Sequence, residues 1–304
     1  MSEKAVSGVY AAVLTPRLSD DSVDVPSLRR LIEFLLAQGI SSFALNGATG
    51  EFCLTTPAQL RLILSTVKDA SKGKARLLCG VGAAGTTQAI ELAAIAEEEG
   101  VTALLLPMPY FFPYRQDDLD AFCRAVAAST RVPILLYNLP QFTSGLDKET
   151  VHALIVEVPN IIGIKDSSGS LEILTHLTDH KVEACRIVGN DSALAPALIH
   201  EVCDGVVSGV ACVLPEVILA LYSQASATGS QEFATASRLL DEFITQLNAF
   251  PTPWGLKWIA ESRGILKATF AQPVAPRRIE EAADMSAWFI GWQAGMTDAI
   301  AVTR

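Results

Sequence analysis

Histidine is scarce in this chain: four in 304 residues, at His152, His176, His180 and His200. So few give no support to a histidine-based nucleophilic triad. His176 and His180 stand four apart and could share a helix face toward a metal, but no third ligand accompanies them. A solvated helix face is the simpler expectation, and no metal is implied. Basic residues are also short, 23 against 33 acidic ones, for a formal charge of −10. Such a surface repels phosphate backbones, so nucleic acid is not an expected partner. None of the six cysteines (Cys53, Cys79, Cys123, Cys185, Cys203, Cys212) belongs to a CxxC pair, and most lie in apolar runs. That is the pattern of reduced, buried thiols in a cytoplasmic protein. The most apolar late stretch, VVSGVACVLPEVILALY (206–222), is broken by Pro215 and Glu216. It reads as strand, turn and helix, so no membrane span is expected. The N-terminal MSEKAVSG is polar and lacks the apolar core of a signal peptide. Linkers, low-complexity tracts and short repeats are missing as well.

What is present is hydrophobic: half the residues, enough for a large core. Eight short apolar runs each end in Gly, Pro, Asn or Asp: 9–16, 41–47, 76–82, 103–109, 133–140, 161–167, 185–191 and 205–211. Continuous apolarity suits strands buried on both faces. Amphipathic segments lie between them, at 25–39, 86–100 and 117–130 among others. The second opens with Thr86 and Thr87 as expected caps. Eight strand–helix units predict an α/β fold, a (β/α)8 TIM barrel, with a doubly wound open sheet as runner-up. The barrel is expected over residues 1–222. A helical extension over 223–304 should pack on it as part of one structural unit.

Chemistry in such a barrel sits at the C-terminal ends of the strands. The run IIGIKDSSG (161–169) puts Lys165 there, at the end of the sixth. A buried ammonium without a partner is costly. The side chain therefore snorkels outward, pairs with Asp166, or serves as an amine nucleophile. Tyr137, in LLYNLP, ends the fifth strand, and neighbouring strands lie about 5 Å apart. A phenol beside an amine can pass protons to and from a carbinolamine; a packing tyrosine is the plain alternative. After strand two, Gly47-Ala48-Thr49-Gly50-Glu51 offers small residues, open amides and a hydroxyl. It is either an anion-holding nest or an ordinary strand-to-helix turn.

GATGE, YNLP and GIKDSSG, with Tyr137 twenty-eight residues before Lys165, together resemble one family. It is the dihydrodipicolinate synthase/N-acetylneuraminate lyase superfamily of class I, pyruvate-dependent aldolases. The likeness runs from VLTP (13–16) to PTPWGLKW (251–258). The resemblance implies that Lys165 forms a Schiff base with pyruvate or a 2-oxo acid. Tyr137 would relay protons, and Ala48 and Thr49 would hold the C1 carboxylate. Gly189, Asp191 and Ser208 would hold substrate hydroxyls, the alternative for GND and VSG being turn chemistry alone. It implies no metal or organic cofactor, and a homo-oligomer, dimer or tetramer.

The sequence departs from the synthase pattern at three places. Phe142 stands where an arginine grips a second carboxylate, and no arginine occurs between Arg131 and Arg186. Ala48 and Phe111 replace a relay threonine and a second tyrosine. These changes favour a lyase of 2-keto-3-deoxy sugar acids over a true dihydrodipicolinate synthase. Phe111, Phe112 and Phe142 are expected to make the outer pocket apolar. A dehydratase of the same family, a synthase-like condensation and a non-catalytic 2-oxo acid sensor are the alternatives. Gly80-x-Gly82-x-x-Gly85 formally matches a dinucleotide fingerprint. No acidic residue ends the next strand, so these glycines are expected to keep the barrel rim open. Glu97, Glu98 and Glu99 read as a solvated helix end.

Overall fold

A computed structural model describes residues 4–301. The first three residues of the polar MSEKAVSG stretch and the last three of the chain lie outside the described residues. Eight parallel strands close on themselves in sequence order. They are β1 (Gly8–Ala12), β2 (Ser42–Leu45), β3 (Arg76–Gly80), β4 (Ala103–Pro107), β5 (Ile134–Asn138), β6 (Ile161–Asp166), β7 (Cys185–Val188) and β8 (Gly205–Ser208). The alternating helices are α1 (Val25–Ala37), α2 (Pro57–Ala70), α3 (Thr86–Glu98), α4 (Gln116–Ala127), α5 (Lys148–Glu157), α6 (Glu172–Asp179), α7 (Leu194–Ile199) and α8 (Pro215–Ser223). The chain ends in α9 (Gln231–Leu247), α10 (Trp254–Ser262) and α11 (Pro276–Ala301). This is a TIM barrel with C-terminal helices, and the open sheet is excluded by the β1–β8 pairing.

The two-residue period of a strand sorts the apolar runs into two cores. Tyr10, Leu78, Leu105, Leu135, Ile187 and Val207 fill the barrel interior. Their neighbours Ala11, Leu77, Leu104, Leu136, Val188 and Val206 face the helices in a larger outer cluster. Runs apolar at every position are what two cores require.

Local signals start most helices. Asp24 accepts from the Ser27 amide with Pro26 in the first turn of α1, and Thr56 and Gln59 form a capping box on α2. Each such cap is worth about 1 kcal/mol. The threonine cap expected on α3 does not form: Thr86 and Thr87 are already helical, and Gly85 holds the cap position without a side-chain bond. Nor are the glutamates ending α3 merely solvated. Glu98 and Glu99 pair with Arg61, Glu99 also with Lys68, and Glu97 accepts from Thr130. All six cysteines are free, four of them buried. Among the described residues no helix is long and apolar enough to cross a membrane.

Candidate active site

The lysine at the end of β6 owes its direction to an irregularity. Along β5, Ile134 pairs with Ile161 and the next residue, Leu135, with Gly163, so β6 carries one extra residue. Ile162 consequently packs on the interior cluster and Ile164 on the outer one. Bulges of this kind re-aim side chains. Here the following residue, Lys165, is turned into the barrel mouth. Gly163 makes the bulge possible: a Cβ there would stand 2.6 Å from the Cys185 backbone nitrogen.

Lys165 is the register partner of Tyr137. Its Nζ lies 3.7 Å from the centre of the phenol ring, and both residues are buried. Asp166 points the other way. Its carboxylate accepts from Asn138 Nδ2 at 3.1 Å and the Ser168 amide at 2.9 Å, so the Lys165–Asp166 pairing does not occur. Nor does the side chain snorkel: Lys165 is 3% exposed and forms no salt bridge among the described residues. That leaves an amine facing a cavity.

The cavity is about 510 Å³ and lies at the C-terminal ends of the strands. Tyr137, Lys165, Ser167, Gly189 and Asp191 form one side of its lining. Gly189 is where β7 passes Lys165. A Cβ there would stand 2.7 Å from Lys165 Cε and would also overlap Ser167 Oγ. Asp191 is partly buried, with its Oδ1 shielded from solvent. One carboxylate oxygen accepts from the Val210 amide at 3.2 Å, and the other has no partner among the described residues. Burial pushes this carboxyl above its ordinary range, opposed by the Ser208 hydroxyl, the Val210 amide and the Lys165 ammonium. Ser208 itself does not reach the cavity. β8 turns Val207 inward and Ser208 outward, where its Oγ accepts from the Ala211 amide at 2.8 Å. The Ser208 hydroxyl expected to meet substrate is instead engaged by the backbone outside the cavity lining. Sequence reasoning missed Ser167, whose buried Oγ has no partner among the described residues and which lines the cavity.

Ala48 and Thr49 line the same space. The amides of Glu51 and Phe52 turn back to the carbonyls of Ala48 and Gly47. Among the described residues the amides of Ala48 and Thr49 have no backbone partner in this turn. Asn46 and Glu51 flank it in left-handed conformations, at φ 54° and 57°. Asn46 Nδ2 donates to the Gly80 carbonyl at 2.8 Å. That close approach explains Gly80, whose Cβ would stand 2.7 Å from the Asn46 carbonyl carbon, while a Cβ at Gly82 would meet the Phe52 ring. These glycines are packing contacts outside the cavity lining, and they do not hold the rim open.

Of the three phenylalanines expected around the pocket, only Phe142 lines it. Phe111 and Phe112 pair edge-on with each other and are 86% and 62% exposed. The apolar outer wall comes instead from the C-terminal helices and their connection, through Ile244, Leu247, Phe250, Pro251 and Leu256. The histidine face stays at least partly exposed, with His180 exposed and His176 half-buried, but it packs against a third histidine. His152 on α5 brings its Nδ1 to 3.0 Å from His176 Nε2, and the His176 and His180 rings lie 4.1 Å apart. No group of three or more ligands among the described residues is arranged to hold a metal.

A closed parallel barrel with an amine and a phenol at the carboxyl ends of adjacent strands defines a class: barrel enzymes whose chemistry sits at the strand ends. The Dihydrodipicolinate synthetase family model matches residues 5–289, and the chain belongs to that family. A 4-hydroxy-tetrahydrodipicolinate synthase of Chlorobium luteolum is 30% identical over 286 residues, 94% of this chain and 97% of the relative. A dihydrodipicolinate synthase of Acinetobacter baumannii, solved in complex with pyruvate, superposes with a TM-score of 0.85 at 26% identity, covering 92% of this chain and 97% of that one. The 4-hydroxy-tetrahydrodipicolinate synthase of Methylacidiphilum fumariolicum gives 0.87 at 25% identity, over 97% and 99%. The family consists of pyruvate-dependent Schiff-base aldolases and lyases, and the chain is a carbon–carbon lyase of it.

Proposed function

We propose that the protein cleaves or forms the C3–C4 bond of a 2-keto-3-deoxy sugar acid, such as 2-keto-3-deoxygluconate, with Lys165 as the imine-forming residue. The Lys165 amine adds to the C2 carbonyl, and Tyr137 passes the proton that lets water leave. In the resulting protonated imine, Tyr137 takes the proton of the 4-hydroxyl. The C3–C4 electron pair moves toward the imine nitrogen, and an aldehyde departs. Protonation of the enamine at C3 and addition of water return pyruvate and the free amine. Ala48 and Thr49 hold the C1 carboxylate, and Asp191 and Ser167 meet substrate hydroxyls.

One observation carries the choice of substrate. Among the cavity's lining residues Lys165 is the lone cation. A second carboxylate, as in aspartate semialdehyde, would lie there without a charge partner, which is costly. Hydroxyls, by contrast, find Asp191, Ser167, Gln141, Asn190 and Asn248 along the walls. The relatives' named synthase activity is therefore a weaker fit than a sugar-acid lyase. A dehydratase is the second reading. Asp191 favours it, because a carboxyl oxygen without a partner among the described residues lines the cavity where it can assist a departing hydroxyl. The proposal includes a cytoplasmic homo-oligomer, dimer or tetramer, whose size sedimentation would read.

Borohydride reduction with pyruvate should add a reduced pyruvyl group at Lys165, and Lys165→Ala should lose both the label and turnover. Incubation with a panel of 2-keto-3-deoxy acids should release pyruvate plus an aldehyde. Release of water with retention of the carbon chain would select the dehydratase. An unlabelled, fully active wild type would sink the imine altogether.

A further inference from the structure

Helix α10 meets the site twice. Gly255 and Leu256 line the cavity, and the next residue, Lys257, reaches under the turn after β2. Its Nζ donates to Glu51 Oε2 at 2.6 Å and to the Thr269 carbonyl at 2.9 Å. Lys257 is 2% exposed and Glu51 9%. Burial pushes the Lys257 ammonium below its ordinary range, with the Glu51 carboxylate opposing that push. The partners are 206 residues apart, so the pair ties the C-terminal helices to the 47–51 turn. A second tie runs beside it: Thr269 Oγ1 donates to the Arg17 carbonyl at 2.6 Å, and the Arg17 guanidinium bonds Thr55, just past the turn.

Apolar residues of equal volume often stabilise such a place as well as a buried ion pair does. What an ion pair adds is fixed geometry and cancelled charge. Glu51 is the only acidic residue of the 47–51 turn, two positions from Thr49. Unpaired, its carboxylate would oppose an anion approaching the amides of Ala48 and Thr49. Held by Lys257, it also fixes the left-handed residue that ends the turn.

We infer that Lys257 is a positioning residue for recognition of the substrate carboxylate, acting through Glu51 on the amides of Ala48 and Thr49. The inference rests on the proposal that this turn takes the C1 carboxylate. Lys257 touches no reacting atom. Its effect falls on how tightly the 2-oxo acid is held, and the chemistry at Lys165 proceeds without it once the site is filled.

The test is borohydride labelling of Lys165 across a range of pyruvate concentrations, with Lys257→Met and, as a milder variant, Glu51→Asp. The second keeps both charges and withdraws the carboxylate by one methylene. The half-saturating pyruvate concentration should rise about ten-fold or more in Lys257→Met, and by a smaller factor in Glu51→Asp. The labelling rate at saturation should stay within about three-fold of wild type. Glu51→Asp decides the matter if Lys257→Met fails to fold by circular dichroism. A folded variant with unchanged half-saturation overturns the inference. So does a loss of saturated rate that merely tracks a lowered melting temperature, because the pair is then only structural. Failure of the imine reading looks different: wild type itself would take no label at any pyruvate concentration, and the inference would fall with it.

Discussion

Gly189→Ala places one methyl group where β7 passes the amine of β6. The added Cβ would stand 2.7 Å from Lys165 Cε and 3.0 Å from Lys165 Cγ, and would also overlap Ser167 Oγ. Carbon atoms in contact prefer about 3.5–4.0 Å, so Lys165 must withdraw by roughly 1 Å. The backbone of Gly189 is outside the left-handed region, so alanine brings no conformational penalty of its own. Side-chain overlap is then the whole perturbation. Overpacking by a methyl costs about 1–3 kcal/mol, which the neighbouring loops absorb in part. For a barrel of this size each kcal/mol moves the melting temperature by about 2–4 °C. The functional loss should be larger in proportion, because a reacting atom displaced by about 1 Å can lose on the order of a hundred-fold in rate. Stopped-time borohydride trapping with pyruvate, read by mass at Lys165, gives that rate. Circular dichroism melting gives the stability. Trapping within three-fold of wild type, with an unchanged melting temperature, would refute the placement of Lys165 against Gly189. Adding Ser167→Gly to the variant removes one of the two overlaps and should recover stability before rate.

Tyr137→Phe keeps the ring against Lys165 and deletes the hydroxyl. Its kcat on the best 2-keto-3-deoxy acid should fall about 10²–10⁴-fold with KM moving less, and trapping should slow yet remain measurable; a change within a few-fold makes Tyr137 a packing residue. Condensation of pyruvate with aspartate semialdehyde should be very poor, because Phe142 and its neighbours supply no cation for the second carboxylate, and efficient synthesis of the cyclic product would refute that argument. Acid should expose Asp204. Burial raises its carboxyl, but bonds from Arg186 and Lys4 outweigh this and leave it below its ordinary 3.8. A depressed carboxyl contributes stability above the unfolded value and loses it as pH falls through the folded one. Asp204→Asn should therefore melt lower at neutral pH and show a flatter acid limb below about pH 4 in urea titrations.

The barrel was legible because its strands obey a rule that sequence displays directly. Runs such as LLLP and ILLY are apolar at every position, which parallel strands between two cores require and a half-exposed sheet does not. The caps at Asp24 and Thr56, where a side chain supplies the bond, emerge only in the structure. The one cap the sequence suggests, at Thr86, does not form, because Gly85 holds the cap position and leaves the first turn without a side-chain bond. Motif residues with their own spacing, Lys165 and Tyr137, could be placed on adjacent strand ends because parallel neighbours are in register there. The outer wall could not be read this way. Ile244, Leu247 and Leu256 look like ordinary amphipathic-helix positions. Only the packing of α9 and α10 over the barrel mouth turns them toward the cavity. Ser208 failed for the opposite reason: the residue type was suited to hydroxyl binding, but strand alternation gives the inward place to Val207.

Alternation alone would also have misplaced the lysine. Ile162 faces the interior, so a regular strand would send Ile164 inward and Lys165 out toward the helices. There it would lie beside apolar groups and away from any cavity. The extra residue at Gly163 reverses the parity for the rest of β6, so that Ile164 joins the outer core and Lys165 enters the mouth. Gly163 is also the residue with no room for a Cβ against the Cys185 backbone. One glycine thus accounts for two observations that the apolar pattern leaves unconnected: a cation buried without a salt bridge, and a following aspartate that bonds outward to Asn138 and Ser168. In IIGIKDSSG the small residue before the apolar one re-aims the strand, and the direction of the amine follows from it.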